Sequence, residues 1–159
     1  MKKQKALPQP FWRFLFLLYC GTMLWLLFFR SYGWVDGLTY KQMLQHNYNL
    51  TPLLTIRNYW YVVTHSQKES MVLHCIINLA GNVLLFIPAG WLLPRLWKRM
   101  HNFFRFFVTC TVSIFLVEVL QLFTLLGRFD VDDLILNLFG MILGFLFFHL
   151  QRLGKRSHK

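Results

Sequence analysis

Residues 106–151, which read FFVTCTVSIFLVEVLQLFTLLGRFDVDDLILNLFGMILGFLFFHLQ, decide the fold of this chain. They contain two long apolar runs, 106–127 and 134–151, in which Glu118 is the one charged residue. A transmembrane helix needs about 17–25 predominantly apolar residues, so each run is long enough to cross a membrane. Because a backbone in lipid must satisfy its own hydrogen bonds, helices are the expected form. The stretch therefore predicts two membrane-spanning helices.

Two further uncharged runs precede this stretch. One lies between Arg13 and Arg30, and the other extends over residues 70–94, where Pro88 predicts a kink. The sequence thus predicts an all-α, polytopic membrane protein that forms a single domain, 1–159. We predict four transmembrane helices at about 14–29, 71–93, 106–126 and 134–150, and an external loop at 30–70 whose aromatic residues favour a short interfacial helix.

The composition excludes several classes of protein. Of the 159 residues, 56% are hydrophobic and 14% are charged, whereas a soluble domain has about 45–50% apolar and about 25% charged residues. A net charge of +11 often indicates a nucleic-acid partner. Here the basic residues lie between long apolar runs rather than in one cluster, so we expect no nucleic-acid binding. The composition argues against a soluble enzyme, a DNA-binding module and a disordered chain.

The distribution of Lys and Arg predicts the orientation. Twelve basic residues and no acidic ones lie in the N-terminal segment 1–13, the connection 95–105 and the tail 152–159. Because cytoplasmic loops carry an excess of Lys and Arg, both termini are predicted to be cytoplasmic, in a protein of the plasma membrane. The basic ends are also expected to contact anionic lipid.

Polar side chains concentrate in the outer halves of three predicted helices, while the inner halves have almost none. Glu118 lies near the middle of the bilayer, where an ionisable residue costs about 2.5–3.5 kcal/mol on insertion scales and indicates function by default. Turned toward each other, the three polar stripes form a cleft that opens outward. Its predicted ligand-binding residues are Asn78, Asn82, Glu118, Gln121, Asp130, Asp133 and Asn137, with Arg128 as the nearest external cation.

Each of these features also has a purely structural interpretation. Asn and Gln side chains hydrogen-bond transmembrane helices together, and the GxxxG pattern of Gly140 and Gly144 lets two helices approach closely. Asp130, Asp132 and Asp133 suit the N-terminus of the fourth helix, where they cap free N–H groups and favour the helix dipole. Packing and capping therefore stay open as alternatives to ligand binding.

Neither a metal nor a cofactor is expected. His74, Glu118 and Asp133 are a candidate set of zinc ligands, but no pair of them has a spacing that zinc sites use. Glycine-rich phosphate-binding loops are absent from the sequence. The three cysteines, at positions 20, 75 and 110, lie far apart inside apolar runs, which is typical of buried free thiols.

Three sequence elements within residues 45–145 resemble the pattern of a known family. They are Asn49-Leu-Thr-Pro52 in the external loop, Asn82-Val-Leu-Leu-Phe-Ile-Pro-Ala-Gly90 in the second span, and the polar positions from Glu118 onward. In order and spacing they are similar to those of the VanZ-like membrane proteins. The resemblance marks as family positions Asn82, Pro88, Glu118, Gln121, Arg128, Asp130, Asp133 and Asn137.

The resemblance implies a function in low-level resistance to teicoplanin and related lipoglycopeptides in Gram-positive bacteria. Lipoglycopeptides differ from vancomycin by an acyl chain that seeks the membrane, and a protein acting in the outer leaflet can discriminate on that feature. The leading hypothesis is therefore that the outward cleft binds an amphiphile. The expected partners are membrane lipids, a lipoglycopeptide or a cell-wall lipid precursor, and an oligomeric assembly is left open.

Two alternatives stay open from the sequence. In the first, the chain is an intramembrane enzyme that hydrolyses or modifies an outer-leaflet lipid, with Glu118 and either Asp130 or Asp133 as catalytic acid and base. No Ser, Cys or Thr nucleophile motif accompanies these carboxylates. In the second, the chain is a structural or transport component, although transport predicts polar residues through the whole membrane thickness.

Overall fold

Four long apolar helices form the body of the protein, as the computed structural model shows for residues 8–28 and 37–157, with side chains as far as residue 154. They confirm the predicted all-α membrane fold. Residues 1–7 and 158–159, which the orientation prediction also uses, lie outside the described residues, as do residues 29–36 at the end of the first predicted span and the start of the predicted external loop. In chain order the elements are α1 (Gln9–Phe28), α2 (Tyr40–His46), β1 (Tyr48–Asn49), α3 (Leu54–His65), α4 (Glu69–Leu84), α5 (Ile87–Leu96), a 3₁₀ turn (Lys98–His101), α6 (Phe103–Thr124), β2 (Phe129–Asp130) and α7 (Val131–Ser157).

The second membrane span consists of two helices, α4 and α5, with an interruption at residues 85–86. Pro88 lies in the first turn of α5. Because proline has no N–H, the carbonyl of Leu84, four residues earlier, receives no helical hydrogen bond from it. The second span is therefore interrupted at the point where Pro88 predicts a kink.

Three glycines hold α7 in direct contact with α4 and α5. A Cβ atom on Gly140 would overlap the carbonyl oxygen of Val83, and one on Gly144 would overlap that of Ile87. From the opposite side, a Cβ atom on Gly90 would overlap the backbone of α7. The GxxxG pattern thus allows the close helix packing that the sequence predicts.

The hydrophobic core lies between α1, α5, α6 and α7. Phe106, Cys110 and Ile114 follow one face of α6 at helical spacing and are almost fully buried. The outward faces of the helices are apolar as well, with Phe14 66% and Phe104 73% exposed, which is expected of side chains that face lipid. The other buried members of the core are Met23, Phe86, Ala89, Met141 and Phe145.

Residues 37–68, which belong to the predicted external loop and are called the external segment below, fold back over one end of the helix bundle. Helix α3 packs against α4 and supplies the short helix expected in this region. Strand β1 pairs in parallel with β2, so that Tyr48 lies beside Phe129 and Asn49 beside Asp130. The all-α prediction does not include this pair, which is only two residues long. It joins positions 81 residues apart in the chain and fixes the external segment to the start of α7.

Candidate functional site

Asp132 anchors the external segment to the bundle. Its side chain is fully buried, and its carboxylate accepts hydrogen bonds from the backbone N–H groups of Leu53 and Ile56, the latter at 3.1 Å. These groups lie at the N-terminus of α3, where a carboxylate also favours the helix dipole. Asp132, predicted as a cap of the fourth helix, therefore caps α3 through its side chain instead.

Asp130 connects three elements through both of its carboxylate oxygens. One oxygen accepts from Asn49 Nδ2 at 3.1 Å and from the backbone N–H of Asp132 at 2.9 Å, which caps the start of α7. The other oxygen accepts from the hydroxyl of Thr55 at 2.6 Å. Asn49 is itself buried and also donates to Thr55. Asp130 therefore holds β1, α3 and α7 together.

Asp133 faces α4. Its Oδ1 accepts a hydrogen bond from Nδ2 of Asn82, and Asn78 lies one turn earlier on the same helix. The polar stripes of the second and fourth spans are therefore turned toward each other in the structure. They meet at the end of the bundle that the external segment covers.

A polar cavity of about 390 Å³ lies between the external segment and the polar parts of α4 and α7. Four predicted ligand-binding residues line it, namely Asn78, Arg128, Asp130 and Asp133. The structure thus has a polar cavity where the sequence predicts a cleft, and the external segment closes part of it. That segment contributes His46, Asn47, Asn49, Leu54, Thr55, Asn58 and Tyr59 to the wall.

Glu118 and Gln121 do not belong to the cavity wall. Glu118 is 4% exposed and accepts a hydrogen bond from the backbone N–H of Asp130 at 3.3 Å, so it supports β2 from within the bundle. Gln121 donates to the backbone carbonyl of Leu27 in α1 at 2.9 Å. The structure thus places both residues beside the site, where they position its backbone and join α6 to α1.

Asn82 and Asn137 lie between the helices and also stand outside the wall. Asn82 reaches the cavity only through its bond to Asp133. Asn137 is buried, and its Oδ1 has no hydrogen-bond partner among the described residues. A buried polar atom left unpaired costs about 1–3 kcal/mol, and no contact within the described ranges offsets that cost.

The residues that α3 adds to the cavity wall were not predicted from the sequence. Thr55, Asn58 and Tyr59 are spaced i, i+3 and i+4 and therefore share one face of the helix. That spacing is visible in the sequence and indicates a polar face. It does not indicate that this face turns toward Asp133 and the middle of α4.

No group of three His, Cys, Asp or Glu side chains within residues 8–28 and 37–154 is placed to hold a metal ion. His74, one of the candidate zinc ligands, packs edge-on against Tyr59 with the ring centroids 6.5 Å apart. The cavity therefore offers hydrogen-bonding amides, an imidazole, a guanidinium and carboxylates as its chemistry.

Comparison with known proteins covers nearly the whole chain. A family model described as VanZ/LLP1 matches residues 16–152. Protein VanZ of Enterococcus faecium is 28% identical over 140 residues, which cover 87% of this chain and 74% of that protein. No solved structure matches the chain. The matched range includes every residue of the cavity wall.

Proposed function

Because this chain belongs to the VanZ/LLP1 family, we propose that it is a plasma-membrane protein that confers resistance to teicoplanin and related lipoglycopeptides. In this proposal the polar cavity faces outward and binds the polar head of an amphiphile. The amphiphile is a lipid headgroup, a cell-wall lipid precursor or the acyl-bearing antibiotic itself. The observation that carries the proposal is the polar cavity of about 390 Å³ beneath the external segment.

The cavity wall offers hydrogen-bonding groups that the protein itself does not use. In the described part of the chain, the amides of Asn58 and Asn78 and the imidazole of His46 have no hydrogen-bond partner. The exposed guanidinium of Arg128 belongs to the same wall. Amides and imidazoles donate to and accept from hydroxyl groups, and arginine pairs with phosphate and carboxylate. This set suits the sugar or phosphate of a headgroup.

An apolar surface beside the cavity supports an amphiphile over a fully polar ligand. A crevice of about 710 Å³ runs along α3 and shares Leu54 with the cavity. Leu53 and Trp60 line this crevice and are mostly exposed. Tryptophan and leucine on such a helix partition into the membrane interface. A ligand with its head in the cavity can therefore keep its chain in lipid.

Acid–base catalysis by Glu118 with Asp130 or Asp133 has less support. Both oxygens of Asp130 accept hydrogen bonds from the protein, and Glu118 is not part of the cavity wall. Asp133 lines the cavity, but one carboxylate does not supply both the acid and the base that this hypothesis needs. Binding is therefore the better-supported function.

The test of the proposed function is the antibiotic susceptibility of a sensitive Gram-positive host that expresses the protein. We expect the wild type to raise the inhibitory concentration of teicoplanin several-fold and to leave that of vancomycin unchanged. Asn78→Leu removes an unused amide from the cavity wall. We expect this variant to lose the protection, because leucine cannot hydrogen-bond a headgroup.

Gln45→Leu is the matched control for this experiment. Gln45 is an exposed amide of the external segment and lies outside the cavity wall. Membrane levels of all proteins are compared by immunoblot. Full protection by Asn78→Leu at a normal level would contradict binding in the cavity, whereas no protection by a well-expressed wild type would contradict the resistance function.

Two substitutions of Glu118 separate its contribution to the stability of the protein from the effect of its ionisation. Glu118→Gln keeps an oxygen that accepts from the backbone N–H of Asp130, so we expect it to retain both stability and protection. Glu118→Leu leaves that buried N–H unpaired and is expected to lower the free energy of unfolding by about 1–3 kcal/mol. Thermal unfolding in detergent measures the difference. Loss of protection in a stable Glu118→Gln variant would show that resistance requires an ionisable side chain at this position.

A further inference from the structure

At the end of the bundle away from the polar cavity, the guanidinium of Arg95 lies against two tryptophan rings, which meet edge-on with their centroids 5.4 Å apart. Its Cζ is 4.1 Å from the ring centre of Trp12 in α1 and 4.3 Å from that of Trp91 in α5. The indole of Trp91 is held in turn by α7, because its Nε1 donates to Gln151 Oε1 at 3.0 Å. Three helices therefore hold one cation in the corner between two perpendicular aromatic rings.

The guanidinium of Arg95 makes no hydrogen bond to the described part of the protein. Nη1 of Arg95 is buried and has no hydrogen-bond partner among the described residues. The sequence has no acidic residue in 1–35, 70–117 or 134–159, so no Asp or Glu side chain belongs to the helix ends around Arg95. Nη1 is enclosed by the protein, whereas Nε and Nη2 are not, and an anion at these two nitrogens offsets the cost of an unpaired charge.

The neighbouring histidine is already satisfied within the protein. His101 contacts the carbonyl oxygen of Pro94 through Nε2 at 2.9 Å and Nη1 of Arg152 through Nδ1 at 3.0 Å. The exposed Lys98 and Arg99 stand beside it on the 3₁₀ turn. Arg95 is thus a fixed, unpaired donor within a uniformly basic surface.

We propose that Arg95, Trp12 and Trp91 form a binding site for the phosphate group of an anionic membrane phospholipid in the leaflet opposite the polar cavity. The planar N–H groups of arginine match phosphate oxygens, and tryptophan rings lie at headgroup depth. Basic pockets between transmembrane helices bind anionic headgroups in this manner. The proposal is independent of the ligand of the polar cavity.

Apolar surface beside the site identifies the source of the phosphate as a lipid. Phe11 is 43% exposed and packs edge-on against Trp12 with ring centroids 5.2 Å apart. Trp97 is also exposed, and its ring packs edge-on against that of Phe16 with the centroids 5.3 Å apart. Phe16 lies one turn after Trp12 on α1. The acyl chains of a phospholipid whose phosphate binds Arg95 therefore contact these aromatic side chains. A soluble phosphate ester has no acyl chains and would leave the aromatic side chains uncovered.

The test uses the full chain, purified in detergent and stripped of lipid, in native mass spectrometry. Phosphatidylglycerol, phosphatidylcholine or inorganic phosphate is added to separate samples. We expect the wild type to retain phosphatidylglycerol several-fold better than phosphatidylcholine, and Arg95→Gln to lose this preference. Arg13→Gln is the matched control, because it removes one exposed positive charge from the same end of α1; we expect it to bind like the wild type.

Trp12→Leu is a second variant that keeps the charge of Arg95 and removes one aromatic wall. We expect it to weaken the preference for phosphatidylglycerol, and it decides the question if Arg95→Gln fails to fold. Equal loss in the Arg13→Gln control would show a general effect of charge and overturn the site. Retention of inorganic phosphate as strong as that of phosphatidylglycerol would assign the site to a soluble anion and overturn the lipid as its ligand.

Discussion

Replacing Gly140 by leucine is expected to separate α7 from α4 and to unfold the bundle. A Cβ atom at this position overlaps the carbonyl oxygen of Val83, and backbone cannot rotate aside as a side chain can. Overpacking costs about 1–3 kcal/mol where side chains are able to shift. We therefore expect the free energy of unfolding to fall by about 3 kcal/mol or more. Titration of the purified protein with dodecyl sulfate, followed by circular dichroism, measures this loss.

Gly81→Leu is the matched control for Gly140→Leu. Gly81 is a helical glycine of α4, and a Cβ atom built on it meets no other atom within 4 Å. Leucine favours a helix over glycine by nearly 1 kcal/mol, so we expect Gly81→Leu to be at least as stable as the wild type. If the two variants unfolded at the same concentration of dodecyl sulfate, this result would contradict the close contact of α7 with α4.

The transmembrane helices could be predicted from the sequence because each is specified locally. The number of apolar residues between charges sets the length of a span, and lipid requires that its backbone be helical. Pro88 interrupts a helix by lacking an N–H, and Gly140 allows a close contact by lacking a side chain. None of these inferences depends on which helices are neighbours.

The cavity could be predicted only in part. Helical spacing places Asn78 on a polar face, and polar faces at the same depth of a membrane have a reason to meet. The contribution of the external segment could not be predicted. Asn49 and Asp130 pair through strands of two residues, which are too short to leave a periodic pattern in the sequence.

Gln121 and Arg95 show a second limit of sequence analysis. Spacing assigns Gln121 to the polar face of α6, but its amide bonds α1 instead of facing the cavity. Arg95 belongs to a basic connection that predicts orientation, and its stacking on Trp12 and Trp91 depends on how α1 lies against α5. The contacts of both residues depend on which helices are neighbours, and the choice of neighbours comes from packing.

Asp132→Ala is expected to release α3 from the bundle while the transmembrane helices stay folded. The change removes the acceptors of the N–H groups of Leu53 and Ile56, and hydrogen bonds to charged groups contribute about 1.5–3 kcal/mol each. Helix α3 has no fully buried side chain of its own, so its contact with α4 and the hydrogen bond of Thr55 to Asp130 are left to hold it in place. We expect hydrogen exchange of residues 54–65 to accelerate by at least about two orders of magnitude.

Two further variants show whether the acceleration comes from the lost cap. Asp132→Asn keeps one acceptor oxygen and is expected to give an intermediate rate, while Glu69→Ala removes an exposed carboxylate of α4 and is expected to change nothing. Because Thr55, Asn58 and Tyr59 of the cavity wall stand on α3, we also expect Asp132→Ala to lose teicoplanin protection at a normal membrane level. Slow exchange of α3 in Asp132→Ala would mean that the pairing of β1 with β2, rather than the cap, holds the external segment over the cavity.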